Sequence, residues 1–239
     1  MTEAASNHGF RRGTGEADGW MYFASDINVP GEIGLAVAED GGPWFLAVSH
    51  AGVAAELGSR EAAPIPSGMC AAYGFEQQSE MRAALHRVYG LACSLPTMPL
   101  YEYQAEVAGL GDTETERVTK QRVGQEIFRR ALMRYWDNRC PLTGVTEPEL
   151  LRASHILPWA ECGSDAERLD VHNGLLLSAH WDAAFDAGLV SFSDDGTPLW
   201  KSQLGAATLA VLAATSVFHL TLTDEHRRYL CRHRRRFGF

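Results

Sequence analysis

Two neighbouring stretches decide the fold of this chain: "LLRASHILP" at residues 150–158 and "NGLLLSAHWDAAFD" at residues 173–186. The first is an apolar run that predicts a short strand with His155 at its edge, beside a loop. The second predicts a strand that is entered at Asn173 and is followed by a helix that Ser178 can cap. The sequence therefore predicts a strand, a loop, a second strand and a helix in this order.

Three blocks of these stretches, taken together, resemble the HNH endonuclease motif of many bacterial restriction-type proteins. They are "SHILP", "NGLLL" and "DAAFD", and the recognisable core covers about residues 136 to 195. The resemblance implies a ββα-metal finger, in which two strands and a helix surround one divalent cation. It also implies that the protein hydrolyses DNA and leaves 5′-phosphate and 3′-hydroxyl ends.

The same resemblance assigns a role to the first two polar residues of the motif. His155 would activate water as the general base, a task that suits imidazole because its unperturbed pKa is about 6.5. Asn173 would orient that ring, or the loop around the metal, through hydrogen bonds. The metal would polarise the phosphate and stabilise the leaving 3′ oxygen.

The third motif position selects Asp182 rather than His180 as the metal ligand. In the family this position lies nine residues after the asparagine and three before the phenylalanine, and both spacings lead to Asp182. Helix geometry agrees, because Asp182 and Asp186 share a face, whereas His180 lies about 200° away around the axis. We therefore expect Asp182 to be the first ligand and Asp186 the second.

The ligand types indicate which metal the site prefers. Carboxylates form a hard, oxygen-rich site that suits Mg²⁺ or Mn²⁺ better than Zn²⁺. The family commonly has an Asp or His ligand directly before the base, but this chain has Ser154, a weak ligand. Structural roles also remain open, since Asp182 can stabilise the helix dipole and Asp186 can cap the loop at Gly188.

Length and composition limit the remaining possibilities. A chain of 239 residues is long enough for two units, and no apolar run reaches the roughly 20 residues that span a bilayer. The N-terminus lacks the apolar segment of a signal peptide, so we expect a cytoplasmic protein without membrane contact. The five scattered cysteines indicate reduced thiols rather than a disulfide framework.

The charge is divided unevenly along the chain. Residues 1–115 have 5 Lys and Arg against 15 Asp and Glu, whereas residues 116–239 have 16 against 15. The composition also changes near residue 115, so we place a domain boundary there. We expect an α+β protein with an N-terminal α+β domain at 1–115 and the HNH domain at 116–239, where a long basic helix runs to about Asp137.

Several basic residues are candidates for binding nucleic acid, although charged runs are often only solvated faces. His172 is expected on the surface, because it precedes Asn173 and points to the opposite side of an extended strand. A second basic cluster, "RRYLCRHRRRF", ends the chain. The candidates are Arg152, His172, Arg122, Arg129 and Arg130.

The sequence thus favours a metal-dependent HNH endonuclease that acts on DNA, duplex more than single-stranded, in restriction or defence. The N-terminal domain would recognise DNA or mediate formation of a homodimer, and its acidity argues against a duplex-binding surface. A second hypothesis is a non-catalytic DNA-binding or regulatory protein that keeps the finger as a scaffold. A third, a nuclease aimed at competitors or RNA, is disfavoured by the lack of a secretion signal.

Overall fold

The computed structural model describes residues 1–58, 64–215 and 219–239, which form two compact units, Met1–Met98 and Pro99–Phe239. Helices make up 46% of the chain and strands 19%, so the protein has a mixed α+β architecture, as the sequence predicted. The unit boundary lies before residue 115, where the composition changes. Among the described residues, no helix is both long and apolar enough to cross a membrane.

The first unit is built on one antiparallel sheet with strand order β1-β2-β3-β4-β5. Fully buried side chains such as Ile33, Leu35 and Leu46 form the strand side of its core. Two helices, α2 and α3, pack against β4. The elements are β1 (Arg12–Ala17), β2 (Trp20–Ala24), β3 (Glu32–Val37), β4 (Trp44–Val48), β5 (Ala71–Phe75), α1 (Thr2–Asn7), α2 (Ala51–Leu57) and α3 (Gln78–Ser94).

Local sequence signals account for two features of this unit. Strands β3 and β4 form a hairpin across a Gly-rich turn and pair antiparallel from Ile33 opposite Val48 to Val37 opposite Trp44. Gln77 caps α3, in a capping box with Glu80.

The second unit contains the two stretches at residues 150–158 and 173–186. Its helices are α4 (Thr97–Glu106, which begins before the unit boundary), α5 (Glu114–Tyr135), α6 (Asp165–Arg168), α7 (Ala179–Asp186), α8 (Ala206–Thr215) and α9 (Asp224–Phe237). Its strands are β6 (Leu151–His155), β7 (Gly174–Ser178), β8 (Val190–Phe192) and β9 (Pro198–Trp200). The predicted order of strand, loop, strand and helix is confirmed by β6, β7 and α7.

Strand β7 explains how the site is positioned. Its residues "GLLLS" are all buried, because α5 packs against the strand on one side and α7 follows directly from its end. Strand β6 pairs with it antiparallel, so that His155 lies opposite Gly174 and Leu151 opposite Ser178. A continuous apolar run is what a strand covered on both faces requires. The pairing fixes His155 at the end of β6 where the loop begins.

Helix α5 begins and ends where its sequence predicts. Thr113 and Glu116 form a capping box at its start, and Asp137 and Asn138 follow its end with φ values of 52° and 53°. The left-handed conformation after the helix ends it and is tolerated by these two residue types. The long basic helix expected before the finger is therefore present.

Candidate active site

His155 is held in one orientation by three neighbours. Its Nε2 lies 2.9 Å from the backbone carbonyl oxygen of Arg168. Its ring stacks on Phe128, with centroids 3.7 Å apart, and meets Trp159 edge-on at 5.8 Å. Because a carbonyl oxygen only accepts hydrogen bonds, this contact assigns the proton to Nε2 and leaves the lone pair on Nδ1.

The surroundings of His155 also favour its neutral form. Burial lowers the pKa of His155, and the hydrogen bond to the Arg168 carbonyl offsets this only in part. A neutral imidazole with the proton on Nε2 can accept a proton at Nδ1. The residue therefore has the protonation state that a general base needs near neutral pH.

Asn173 ties together the loop that joins β6 to β7. Its Oδ1 accepts a hydrogen bond of 2.8 Å from the Leu157 amide. Its Nδ2 lies within 3.4 Å of three acceptors, the carbonyls of Leu157 and Glu167 and the Cys162 sulfur. Because Asn173 is fully buried, these contacts fix the loop rather than bind solvent or substrate.

Arg168 is a residue of this site that the sequence analysis missed. Its guanidinium donates hydrogen bonds to the backbone carbonyls of Trp159 and Cys162 and forms a 2.7 Å ion pair with Asp165. These bonds hold in place the residue whose own carbonyl faces His155. An arginine in a polar loop shows no sequence signal for this role, because its partners are fixed only when the loop has folded.

The two acidic residues of α7 lie on one face, beside β6. Ser154, which is buried, donates a hydrogen bond of 3.3 Å to Asp186, and its hydroxyl also influences Asp182. One hydroxyl hydrogen cannot serve both carboxylates at the same time. His180 instead lies 3.1 Å from Thr215.

The electrostatics of this pair follow from its position. Burial raises the pKa of Asp182, although Ser154 and the positive charge of Arg152 lower it in part. Partial burial and the negative charge of Asp182 raise the pKa of Asp186. The two carboxylates thus lie close together without enough positive charge to compensate them.

This donor set fits a divalent cation that prefers oxygen. Asp182, Asp186 and Ser154 offer only oxygen atoms, and Mg²⁺ is often held by one or two carboxylates with water and phosphate completing its shell. A closed zinc site does not fit, because no group of three or more His, Cys, Asp or Glu residues with suitable spacing occurs in the described part of the chain.

His155 and Asp186 open onto a common cleft of about 360 Å³. Its wall includes Ser154, His155 and Asp186, and the last helix of the chain contributes His233 and Arg236. Both residues of α9 are distant in sequence from the motif, and the sequence analysis did not place them at the site. The cleft therefore combines imidazole rings, a carboxylate and a guanidinium.

One face of α9 holds the loop between His155 and Asn173. The Tyr229 hydroxyl donates to Asp170 at 3.1 Å, Arg232 pairs with Glu167 at 2.6 Å, and Arg236 pairs with Glu161. These three side chains are spaced three and four residues apart, so they share one side of the helix. Two arginines of α9, Arg232 and Arg236, are thus paired with carboxylates of the loop.

The arginines expected to bind nucleic acid lie in different surroundings. Arg129 donates to the backbone carbonyls of Leu151 and Pro148 at 2.8 and 2.6 Å, and Arg130 pairs with Glu102 at 2.8 Å. Arg122 is exposed on α5. Arg152 is exposed beside Asp182, with its guanidinium bonded to the Glu149 and Leu151 carbonyls.

The expectation of a surface position for His172 is wrong. Residues Val171–Asn173 form a 3-10 turn rather than an extended strand, so His172 turns inward. It is only 7% exposed, its Nδ1 lies 2.8 Å from Asp170, and its ring meets Tyr135 edge-on. His172 therefore stabilises the interior and is not available to a phosphate.

Comparison with known proteins agrees with this geometry. The family model described as HNH endonuclease matches residues 140–193, a range that contains His155, Asn173, Asp182 and Asp186. A comparison with curated proteins gave no match. The match covers less than a quarter of the 239 residues and lies within the second unit. Residues 140–193 of this chain are therefore an HNH endonuclease family domain.

Proposed function

We propose that this protein is a metal-dependent HNH endonuclease that hydrolyses phosphodiester bonds of DNA. The observation that carries the proposal is the environment of His155. Its proton is assigned to Nε2 by the Arg168 carbonyl, its pKa is lowered by burial, and it opens onto the same cleft as Asp186. The family match supports nuclease chemistry for these residues.

In this proposal His155 moves the proton of the reaction. Its Nδ1 takes a proton from the water that attacks phosphorus, the bond from phosphorus to the leaving 3′ oxygen breaks, and Nε2–H stays bonded to the Arg168 carbonyl. That carbonyl stabilises the imidazolium ion that forms, because a hydrogen bond to the charged form favours it. Phe128 and Trp159 restrict the ring to one orientation, so that little conformational entropy is lost when it aligns with the attacking water.

Asn173 is a positioning residue in this scheme rather than a group that meets the substrate. It binds both backbone groups of Leu157, two residues after the base, and the carbonyl of Glu167, next to Arg168. It therefore fixes both ends of the segment that carries His155 and its carbonyl partner.

Asp182 and Asp186 would hold the cation, and their oxygen atoms favour Mg²⁺ or Mn²⁺. A bound divalent ion would supply polarisation of the phosphate and stabilisation of the leaving oxygen. Ser154 would keep Asp186 oriented through its hydrogen bond.

Two exposed arginines are the candidates for contacts with duplex DNA. Arg122 projects from α5 and Arg152 lies beside the carboxylates. Contacts of this kind bind phosphates without reading the sequence, and they weaken as the salt concentration rises. Arg129 and Arg130 would contribute only their remaining charge, because both already hold intramolecular partners.

A separate N-terminal unit supports a role in restriction or defence, in which that unit recognises the target or mediates dimerisation. Within residues 1–98 there are 5 Lys and Arg against 11 Asp and Glu, so a duplex would meet a largely negative surface. This charge argues against recognition of a duplex by the unit, and dimerisation remains the alternative. Light scattering of the purified protein distinguishes a dimer from a monomer.

Ser154 favours a second candidate function, a non-catalytic DNA-binding protein that keeps the HNH domain as a scaffold. A serine stands where the family commonly has a metal ligand, and the described residues hold no cluster of three ligands. A protein of this kind would bind DNA with the same affinity in the presence and absence of a divalent metal and would not cleave it.

Plasmid cleavage tests both candidates. Supercoiled DNA is incubated with the protein and Mg²⁺, Mn²⁺ or EDTA, beside His155→Ala and Asp182→Ala. We expect metal-dependent nicking that falls at least about 100-fold in both variants, because removal of a general base or of a metal ligand costs this much or more. The matched control is His180→Ala, an exposed histidine that should cleave like the wild type.

The outcomes separate the possibilities. Cleavage by Asp182→Ala at the wild-type rate would overturn the assignment of that ligand and leave the base in place. A folded protein that binds DNA and cleaves none under any metal would support the non-catalytic function.

A further inference from the structure

Arg236 occupies an unusual place among the arginines of α9. It lies in the wall of the cleft that contains His155 and Asp186, and it is the only Lys or Arg in the lining that the structure describes there. A neighbouring cleft of about 330 Å³ also contains Arg236, together with Arg232 and Arg235. Arg236 thus stands where the two clefts meet, more than forty residues beyond the family match.

When no metal is bound, the cleft needs another cation if it is to hold a phosphate. Asp186 then carries a negative charge that would repel a phosphodiester, and the neutral ring of His155 does not compensate it. A guanidinium binds phosphate through paired, charge-assisted hydrogen bonds. Of the groups in this cleft, Arg236 has the charge and the donors for this contact.

In the free protein Arg236 already holds an anion, the carboxylate of Glu161. The two side chains are 41% and 49% exposed. Exposed ion pairs contribute little net stability, so this one can be broken at small cost. A carboxylate and a phosphate present similar oxygen pairs to a guanidinium, and Glu161 therefore competes with DNA for the same donors.

The neighbouring ion pair on α9, Arg232–Glu167, is a structural contact and serves as a comparison. Glu167, the partner of Arg232, is only 21% exposed and also accepts a hydrogen bond of 2.7 Å from the Gly163 amide. It is thus part of the folded loop. Among the described residues, the Glu161 carboxylate accepts a hydrogen bond only from Arg236, and Glu161 lies at the exposed end of a 3-10 turn.

We propose that Arg236 binds a DNA phosphate at the catalytic cleft and that Glu161 occupies this phosphate position in the free protein. The proposal rests on the nuclease function above, and it adds a substrate-binding residue and a built-in competitor from outside the HNH segment. The proposal requires that removal of the two partners of one ion pair change the affinity for DNA in opposite directions.

Binding of a short fluorescent DNA duplex to the full-length protein in EDTA tests this requirement. For Arg236→Gln we expect the Kd to rise about tenfold, and the slope of log K against log[salt] to become less steep by about 1. For Glu161→Gln we expect the Kd to fall about threefold, because the competing anion is gone. Arg236→Lys should retain most of the affinity, since it keeps the cation.

The matched control is the ion pair Arg228–Glu225, which lies on the same helix and outside both clefts. Arg228→Gln and Glu225→Gln change the net charge by the same amounts, so they measure the general electrostatic effect. The proposal requires that the variants of the pair at the cleft exceed these controls. Thermal unfolding of each variant shows that it is folded.

Two results would overturn the proposal. One is weaker binding by both Glu161→Gln and Arg236→Gln, as expected if the pair only fastens the loop. The other is an Arg236→Gln variant that binds like Arg228→Gln. Cleavage by the wild type is measured in parallel with Mg²⁺. A wild type that neither binds nor cleaves DNA would refute the nuclease function itself, rather than this contact alone.

Discussion

The imidazole of His233 lies flat on the phenyl ring of Phe185, with centroids 3.9 Å apart and an interplanar angle of 1°. Its Nδ1 is 3.0 Å from the Ser191 hydroxyl, and its Nε2 is 3.2 Å from the Phe185 carbonyl. This buried histidine therefore attaches α9 to α7, the helix that carries the acidic pair. Its neutral form satisfies both neighbours.

Acid should weaken this attachment. Burial lowers the pKa of His233 to about 4, whereas in the unfolded chain the residue takes up a proton near its ordinary value of 6.5. Between these values protonation favours the unfolded chain, so stability falls as the pH decreases from 6.5 to 4. We expect His233 to reduce the free energy of unfolding by about 2 kcal/mol between pH 7 and pH 5, measured by urea denaturation.

Substitution by phenylalanine isolates this contribution. His233→Phe keeps a stacked ring but cannot titrate, so its stability should change less between the two pH values than that of the wild type. His180→Phe, at an exposed position, should retain the full pH dependence. Equal pH dependence in the wild type and His233→Phe would contradict the assignment.

Asn173→Asp should abolish DNA cleavage, whereas it should lower the stability of the fold only in part. The substitution keeps the size and the acceptor but directs a carboxylate oxygen at the carbonyls of Leu157 and Glu167, which can only accept. We expect a loss of about 2–3 kcal/mol from the buried mismatch and at least about a 100-fold loss of cleavage. Asn138→Asp, on the surface after α5, is the control in thermal unfolding and plasmid cleavage.

Gly174→Ala should shift His155 from its position, because the added methyl group displaces the ring of Phe128. A Cβ at this position would lie 2.5 Å from the Phe128 ring and 2.8 Å from a Leu132 methyl group. Since Phe128 stacks on His155, relief of the clash displaces the surface on which the base rests. We expect a loss of about 1–3 kcal/mol in urea denaturation, together with slower cleavage. Gly163→Ala, where the nearest atom is a Glu167 carboxylate oxygen at 3.7 Å, should be tolerated.

Ser154→Asp should make stability depend on the metal. It places a third carboxylate next to Asp182 and Asp186, at a position where the serine is only 2% exposed. In EDTA we expect the melting temperature to fall by about 5 °C, because a further negative charge is buried beside two others. With Mn²⁺ the variant should gain more than the wild type, since three ligands hold a cation more tightly than two. An identical response to Mn²⁺ in both proteins would contradict the metal assignment.

Arg129 and Arg122 should separate stability from DNA binding. Arg129→Ala removes two hydrogen bonds to the backbone before and within β6, so its melting temperature should fall by several degrees, about 1–3 kcal/mol. Arg122→Ala should melt like the wild type and weaken DNA binding with a salt slope that is less steep by about 1. The reverse pattern would show that Arg129 is the phosphate contact.

The sequence could predict those parts of the structure that depend on neighbouring residues. The hairpins, the long helix α5 and the order of β6, β7 and α7 all follow from periodicity and turn residues within short windows. The shared face of Asp182 and Asp186 follows from helix geometry alone. His155 at the end of β6 is likewise local, because the strand ends where the apolar run ends.

Contacts between distant residues could not be predicted in this way. The carbonyl of Arg168 faces His155 only because Asn173 and the arginine itself shape the intervening loop. The bond between Tyr229 and Asp170 joins residues 59 positions apart. The inward position of His172 could not be predicted either, because strand β7 begins only at Gly174 and Val171–Asn173 form a 3-10 turn.

The position of α9 has a consequence for the synthesis of the protein. The loop between His155 and Asn173 acquires its partners Tyr229, Arg232 and Arg236 only after the last turns of this helix have been translated. A chain that is still being synthesised therefore contains the motif, but its loop lacks these contacts and its cleft is incomplete. The order of residues along the chain therefore delays completion of this cleft until α9 has left the ribosome.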